Sequence, residues 1–471
     1  MFDKHHKKES PTFTGITRGV GGFGFGAAAG AAAGPQVSDN YWIATLGKSN
    51  HSSEAGGVAV DSVGNIYVTG KTNPGPGAGG NQNKILTVKY DTDGVVQWQR
   101  TLSSGNTSGN DCFGEDIIVD NSGNIVVVGK YQDQYGIIAK YNTSGVLQWS
   151  RVYGSNTYHF KVDFDNDGNY YTADERGGEM SLTKFNTSGD HEWTRHLDTS
   201  NGGTTVGYDV AVDRNNSRVF LVGRARAFSG NTSGADYEGI LARYSTSGTL
   251  SFIKGWDTNP TSSNWNVWAK TLAISSTGQP IVFSWASGDD GYHIALSRFT
   301  SSGTFQADVQ FKMSAESEPT DAVFDGVDSV YVVGYTSSKG VLVKYPQDST
   351  VKEYGRTFGQ SSTRARGVAV DNENKAVYFV GYTQQSGVGS RNYVIVKAPA
   401  DGSMTDSSYD SGNLRYENAT TSGSQSYSAT YQNVKSPSGT MSSTSASRSE
   451  LSTTVLTDNN PDHTSIITSM S

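Results

Sequence analysis

Three acidic residues occupy equivalent positions along this sequence, and carboxylates gathered in this way are the oxygen ligands that hard cations prefer. They are Asp116, Asp209 and Asp321. The corresponding positions of four other segments interrupt such a ring of acids, because they carry Gly57, Lys161, Thr271 and Gly367. The pattern therefore offers part of a cation site at most, and no metal is predicted.

The segment Asp165–Asn169 resembles the opening of a calcium-binding loop. It lacks the carboxylate that would close the coordination shell at the required distance. We consider five of the eight histidines as metal ligands, and they follow no metal-ligand spacing: His159, His191, His196, His293 and His463. Neither a nucleophile elbow nor a phosphate loop is found. The sequence thus predicts no catalytic residues and no cofactor.

Aromatic and acidic side chains are grouped in one region in a pattern suited to binding. The candidate binding residues are Trp265, Trp268, Asp289, Asp290 and Tyr292. Aromatic rings beside carboxylates can stack on a sugar or hold a protein loop. Packing within a long loop explains the same residues equally well, so both interpretations stay open.

These residues are carried by a unit of about fifty residues that recurs seven times between Glu54 and Gly402. The turn after the first strand of each unit sets the register, and Asp61 and Asp371 are 310 residues and six intervals apart. In such turns Asp accepts hydrogen bonds from the backbone two residues on, and Gly tolerates a left-handed conformation. A fixed period of this length, filled with short apolar runs, predicts an all-β fold: a seven-bladed β-propeller with one four-stranded blade per repeat.

The fourth strand of most units carries an aromatic residue and a cation two positions apart, as in Trp98/Arg100 and Trp193/Arg195. Strand alternation places each pair on one face. Because the pair recurs in nearly every blade, we interpret it as packing, with the cation lying over the ring, and not as a binding box.

The seventh unit lacks a fourth strand, and a segment near the start of the chain matches the missing one. Tyr41–Gly47 is similar to Gln97–Ser103. We predict that Trp42–Leu46 completes the last blade beside Tyr393–Lys397, which brings Trp42 close to Val394. Such a strand closes the ring and minimises free sheet edges.

The loops divide between the two faces of the predicted ring. The first-to-second and third-to-fourth turns share one face, here the turn face, and are short. The second-to-third turns and the links between blades share the other, here the looped face. The looped face carries the long insertions: Thr72–Asn83, Ala225–Glu238, Asp257–Asn266, Ser287–His293 and Thr383–Arg391. Insertions clustered on one face mark the expected binding face.

Composition divides the chain into three parts: a Gly/Ala-rich arm over residues 1–37, the propeller over residues 38–402 and a Ser/Thr-rich extension over residues 403–471. Within the extension, Tyr427–Tyr431 and Leu451–Leu456 alternate like edge strands, and a flexible polar tail is the alternative interpretation. The formal net charge of −8 argues against a nucleic-acid partner, and no apolar run is long enough to span a bilayer. Cys112 is the single cysteine, so intrachain disulfides are excluded.

The units resemble the SBBP-type propeller repeat of bacteria and phages, which implies a fold and an interaction role but no reaction. The opening segment Glu9–Gly26 resembles the start of virion structural proteins of marine cyanobacterial tailed phages. These resemblances imply a non-enzymatic component of a phage tail, baseplate or fibre, located in the virion and assembled in the host cytoplasm. The propeller would bind protein or a host-surface glycan, and the arm would join other virion proteins in a homo- or hetero-oligomeric assembly.

Two other classes of function stay open at this point. The first is a bacterial surface or secreted propeller that binds glycan or protein. The second is a propeller enzyme of the quinoprotein or lyase kind, which would require ionisable residues converging in the channel.

Overall fold

The computed structural model describes the propeller and parts of the extension. The described residues are 41–47, 52–73, 83–103, 111–154, 156–198, 203–226, 237–256, 266–288, 291–311, 316–359, 362–384, 391–404, 407–409, 414–418, 442–446, 450–451, 457–459 and 464–470. Among them every regular element is a β-strand, and no helix is long and apolar enough to cross a membrane. The arm over residues 1–37 lies outside this set.

Seven antiparallel sheets follow one another along the chain, each with four main strands, and these sheets are the predicted blades. Blade one contains β2 (Ser53–Val60), β3 (Ile66–Thr72), β4 (Lys84–Tyr90) and β5 (Val96–Ser103). Blade two contains β6 (Phe113–Val119), β7 (Ile125–Tyr131), β8 (Tyr135–Tyr141) and β9 (Leu147–Tyr153). Blade three contains β10 (Thr157–Phe164), β11 (Tyr170–Arg176), β12 (Glu179–Phe185) and β13 (His191–Asp198).

Blade four contains β14 (Thr205–Asp213), β15 (Arg218–Arg226), β16 (Tyr237–Ser245) and β17 (Leu250–Trp256). Blade five contains β18 (Val267–Ile274), β19 (Pro280–Gly288), β20 (Gly291–Phe299) and β21 (Phe305–Phe311). Blade six contains β22 (Ser317–Phe324), β23 (Ser329–Thr336), β24 (Gly340–Pro346) and β25 (Tyr354–Phe358). Blade seven takes β26 (Arg364–Asp371), β27 (Ala376–Thr383) and β28 (Asn392–Pro399) from the end of the repeats and β1 (Tyr41–Gly47) from their start.

The closure predicted from the sequence is confirmed, because β1 is the fourth strand of blade seven. β1 pairs with β28 in antiparallel register, with Trp42 opposite Lys397 and Thr45 opposite Val394. Trp42 is 1% exposed, and its ring lies 6.3 Å from that of Tyr378. Because the first and last repeats share one sheet, the ring has no open seam.

The C-terminal extension adds strands to the outer edges of the blades. Its strands are β29 (Ser407–Tyr409), β30 (Leu414–Asn418), β31 (Ser442–Ala446), β32 (Glu450–Leu451), β33 (Thr457–Asn459) and β34 (Thr464–Met470). β30 joins blade six, and the later strands join blades three, two, one and seven in that order. The extension thus runs around the ring against the direction of the repeats. β32 contains the first residue of the predicted strand Leu451–Leu456, whereas Tyr427–Tyr431 lies outside the described residues.

The core is divided among the interfaces between blades. Seven clusters of buried apolar residues are found in the described part of the chain, one at each contact between neighbouring blades. The second strands are apolar on both faces because each face meets a different neighbour. A glycine within most of these strands meets crowded backbone: a Cβ on Gly129 would lie 2.0 Å from the carbonyl oxygen of Phe113.

The aromatic–cation pairs of the fourth strands connect adjacent blades, which confirms the packing interpretation. The Arg100 guanidinium lies 5.7 Å from the Trp98 ring, and its Nε donates to the carbonyl of Gly145 in the next blade at 2.7 Å. Gly145 has a φ of 75°, and a Cβ there would lie 2.7 Å from the Trp98 ring. The same contacts recur between Arg195, Trp193 and Gly248.

One expected insertion is a regular hairpin. Ser287–His293 was predicted to be a long loop, but Ser287 pairs with Tyr292 and Gly288 with Gly291. The extra residues lengthen β19 and β20 instead of forming a loop. The alternation of polar and apolar side chains is weak here, which explains why the sequence did not reveal the strands.

Candidate binding site at the channel mouth

Every innermost strand contains a β-bulge at the same level. In blade one the register shifts between Ala55 and Gly57, and the other six inner strands shift at the equivalent position. A bulge leaves one residue unpaired and re-aims its side chain. The unpaired residues are Gly56, Glu115, Phe160, Tyr208, Lys270, Thr320 and Arg366.

All seven bulged residues line one cavity at the centre of the ring. The cavity has a volume of about 330 Å³ and is completed by Lys161, Glu318, Tyr335 and Arg364. Tyr335 lies near the end of the second strand β23, and the other residues lie in or next to the half of an inner strand that follows the link from the preceding blade. The cavity therefore opens towards the looped face, where the sequence predicted binding.

The three equivalent acids do not line the cavity themselves but lie beneath its lining residue Lys161, which forms the floor and contacts two of them. Lys161 Nζ lies 2.5 Å from Asp321 Oδ1 and 3.5 Å from Asp116 Oδ1. Thr271 donates to Asp209 Oδ2 at 2.7 Å. Two of the residues that interrupted the ring of acids in the sequence thus hold these carboxylates in place. Among the described residues, no group of three or more acidic, His or Cys side chains is arranged to hold a metal ion.

The same three acids also bind the backbone of the following blade. Asp116 accepts from the Val162 amide at 3.0 Å, and Asp209 accepts from the Leu272 amide at 2.9 Å. Asp321 repeats the contact with the next inner strand, whose amide donor lies 2.8 Å away. Each acid therefore fixes the angle between two blades at the channel axis.

Burial and charge shift the pKa values at the floor in opposite directions. Burial raises the pKa of Asp116 to about 6 against the opposing charge of Lys161. Burial likewise raises the pKa of Asp209 to about 7, again opposed by Lys161. Burial alone would lower the pKa of Lys161, but the surrounding carboxylates hold it above its ordinary value. The ammonium is therefore the fixed charge of the floor.

A surplus of cations surrounds the upper wall of the cavity at blades one and seven. Glu54, with 3% of its side chain exposed, is shared by Lys71 at 3.2 Å, Arg366 at 3.6 Å and Arg391. Burial raises the pKa of Glu54, but the Arg391 hydrogen bond and the neighbouring cations bring it below the usual value. Three cations share one carboxylate, so this part of the mouth is positive in a chain whose formal net charge is −8.

Blades five and six supply the opposite wall. Glu318 accepts from the Tyr335 hydroxyl at 2.5 Å and pairs with Lys270 at 2.8 Å. The Arg364 guanidinium lies 4.2 Å from the Tyr335 ring. Arg364 lines the cavity, and no ion pair of its guanidinium is found among the residues that the structure describes.

Two of the predicted binding residues, Trp268 and Tyr292, belong to an aromatic cluster beside this cavity. Trp268 meets Trp285 edge to face at 4.6 Å, and Trp285 stacks on Tyr292 at 3.9 Å. Arg224 lies 4.0 Å from the Trp268 ring. Trp265, Asp289 and Asp290 lie outside the described residues, and the binding role of all five stays a prediction.

Sequence reasoning missed the residue that joins the cluster and the residues that form the cavity. Trp285 is the fifth residue after Pro280 in a second strand. The other blades carry different residues at this position: Lys71, Lys130, Glu175, Arg224, Tyr335 and Tyr382. Arg364 and Arg366 could have been found from the sequence. They precede Gly367, the blade-seven equivalent of Asp321, by three residues and by one residue. A bulge at that point, however, is not encoded by alternation alone.

The calcium-like segment is a hairpin turn in this fold. Asp165 Oδ1 accepts from the Asp167 amide at 3.0 Å and the Asn169 amide at 2.9 Å, and Oδ2 accepts from Tyr171. Gly168 has a φ of 80°. Asp61 makes the same contacts in blade one, which confirms the turn chemistry predicted for the repeats.

Comparisons with known proteins agree with this architecture. Residues 42–75, which contain β2, β3 and all of β1 except its first residue, match the family model described as SBBP: Beta-propeller repeat. A comparison with curated protein sequences finds no match.

Solved propellers resemble the chain in structure at very low identity. They include polysaccharide lyase Uly1, at 8% identity over 74% of this chain and 90% of that chain, with a TM-score of 0.48. The Neurospora crassa Pan2 WD40 domain has 9% identity over 73% and 88%, with a TM-score of 0.45. A protein from Lactobacillus plantarum has 14% identity over 80% and 99%, with a TM-score of 0.41. These values carry no information about function. The chain is a seven-bladed β-propeller that contains an SBBP-type repeat, and this fold is suited to interaction with other molecules.

Proposed function

We propose that this chain is a non-enzymatic binding module that holds a partner at the channel mouth on its looped face. The observation that carries the proposal is that all seven bulged residues line one open cavity. Seven separate repeats contribute different side chains at one level: Gly, Glu, Phe, Tyr, Lys, Thr and Arg. A rigid ring that presents a mixed set of polar and aromatic groups at one mouth suits recognition.

The acids of the site support binding over catalysis. Asp116, Asp209 and Asp321 accept hydrogen bonds from backbone amides at the floor, and Glu318 is held by Lys270 and Tyr335. A general acid or base needs a proton that it can exchange with a substrate. Carboxylates engaged in this way serve to orient the cavity wall.

The proposed setting is the tail, baseplate or fibre apparatus of a tailed phage. The resemblance of Glu9–Gly26 to virion structural proteins supports it. The topology supports it too, because the chain enters the ring at Tyr41, at the end of β1 that lies on the turn face. That end of β1 and the cavity mouth are on opposite faces of the ring, and the mouth would bind a host-surface glycan or protein.

Two measurements test the proposal. Mass spectrometry of purified particles should detect the chain as a virion component, and fluorescently labelled protein should bind intact host cells saturably. The variant Arg364→Gln should weaken cell binding, whereas Lys254→Gln on the outer strand β17 removes a cation away from the mouth and should not. A chain missing from particles would refute the virion setting and favour a bacterial surface propeller. Equal cell binding by both variants would refute a role for the cavity.

A further inference from the structure

Two arginines that line the cavity have no carboxylate to themselves among the described residues. Arg364 has no ion-pair partner among the described residues, and Arg366 shares the single carboxylate of Glu54 with two other cations. Lys270 and Lys161 are each paired with acids. The two arginines on β26 are therefore the groups available to an incoming anion. A guanidinium presents a planar fork of donors that matches a carboxylate.

Aromatic rings orient these cations and are already covered by them. Arg364 lies over Tyr335 at 4.2 Å, and Lys270 lies over Tyr208 at 4.3 Å. A cation held over a ring still has N–H donors that point away from the ring and can bind a ligand. Arg364 therefore presents donors to the cavity, while the Tyr335 face is occupied and unavailable for stacking by a ligand.

The cavity also contains hydrogen-bond acceptors that a simple anion would not need. Glu115 is paired with Lys130 at 3.5 Å and Glu318 with Lys270 at 2.8 Å. Each carboxylate offers about four acceptor positions, so both keep capacity for further donors. A ligand that brings only a carboxylate would be repelled by these acids, whereas one that also carries hydroxyl groups would donate to them.

Size and overall charge limit the ligand further. A volume of about 330 Å³ is at the small end of the range for ligand pockets. The formal net charge of −8 disfavours the approach of a long polyanion. The cavity thus selects a compact group with one acid and several hydroxyls.

The geometry points to a single acidic sugar unit as the ligand of this cavity. Its carboxylate binds Arg364 and Arg366, and its hydroxyls donate to Glu115 and Glu318. This inference rests on the proposed function and names the chemistry of the partner that the looped face binds.

Direct binding to the full chain tests the assignment, with D-glucuronate, D-glucose and N-acetylglutamate as probes and saturation-transfer NMR as the readout. We expect saturable binding of glucuronate and a Kd about 10- to 100-fold weaker for glucose, because glucose lacks the charge-assisted hydrogen bonds. Arg364→Gln should weaken glucuronate binding by a similar factor, and Lys254→Gln should leave it unchanged. The thermal transition of each variant shows that the fold is retained.

Three results would overturn the assignment. They are equal affinity for glucuronate and glucose, no effect of Arg364→Gln on glucuronate, and tighter binding of N-acetylglutamate, which would assign the cavity to an acidic protein side chain. The cell-binding assay separates this inference from the proposed function. If Arg364→Gln loses cell binding but the parent does not bind glucuronate, the proposed binding module is supported and the acidic sugar is refuted. If the protein binds glucuronate but no cells, the sugar assignment is supported and the proposed cell-binding function is refuted.

Discussion

Replacement of Lys161 by methionine would remove the one cation at the channel floor and leave its acids facing each other. Lys161 Nζ lies 2.5 Å from Asp321 and 3.5 Å from Asp116, and it also opposes the raised pKa of Asp209. Methionine has a similar volume, so the change isolates the charge. Removing one partner of a buried ion pair costs about 3–5 kcal/mol, because the remaining charge is left uncompensated.

The size of the thermal effect follows from the size of the ring. Unfolding entropy is about 2.1 cal/mol/K per residue, so a ring of about 360 residues has a total of about 0.8 kcal/mol/K. A loss of about 3–5 kcal/mol then lowers Tm by about 4–7 °C. We expect this shift at pH 8, which is above the raised pKa values of Asp116 and Asp209.

The pH dependence makes the prediction specific. The pKa values of Asp116 and Asp209 are raised to about 6 and about 7, so both acids bind protons at pH 5 and their repulsion declines. The Tm difference between Lys161→Met and the parent should therefore shrink by at least about half between pH 8 and pH 5.

Calorimetry or circular dichroism melts at both pH values measure the effect. The double variant Lys161→Met/Asp321→Asn is the matched control, because it removes a cation and an anion together and should recover part of the lost stability. An unchanged Tm at pH 8, or an equal loss at both pH values, would refute the electrostatic account of the floor.

Three further changes test other parts of the ring. Trp42→Ala empties a site that is 1% exposed at the closing strand, so the free energy of unfolding should fall by about 3–5 kcal/mol in denaturant titrations, and a loss below about 1 kcal/mol would contradict the closure. Gly145→Ala should lower Tm more than Gly123→Ala, since both glycines have positive φ but only a Cβ at Gly145 would lie 2.7 Å from Trp98. Equal Tm values for the two variants would show that the contact with the Trp98 ring is unimportant. Because the folded pKa of Asp209 is raised, the stability of the parent should fall as pH rises from about 4 to about 7, and Asp209→Asn should flatten that slope in melts across the window; a slope that stays the same would assign the effect to other groups.

The features that the sequence predicted are those encoded by local chemistry. Asp61 and its equivalents mark turns because each carboxylate accepts hydrogen bonds from two backbone amides. The residues of such a turn recur at a recognisable spacing in the sequence. The closing strand was found because Trp42 needs the same neighbours as Trp98, namely the glycine of a third-to-fourth turn in the next blade. Gly94 and Gly145 supply that contact in the two blades. Because these local patterns recur in seven repeats, together they identify the fold.

The cavity was beyond this kind of reasoning because it depends on one residue per blade. Gly56, Phe160 and Arg366 have nothing in common as residue types, and only the shared bulge brings them to one level. Lys161 was interpreted as an interruption of an acidic ring, although the floor is built around it. Its role depends on Asp321, which is 160 residues away in sequence, and no local pattern encodes that distance.

The pairing of β1 with β28 on one side and with β34 on the other has a mechanical consequence. β1 lies between β28 and β34, and its first residue, Tyr41, is the cross-strand partner of Met470. Tension applied between these two positions would act on the end of a single ladder, where hydrogen bonds rupture one after another instead of all together. We expect single-molecule pulling from these positions to detach β34 at low force while β1 stays paired with β28. A first event that opened the whole ring would show that β1 separates from β28 and β34 at the same force.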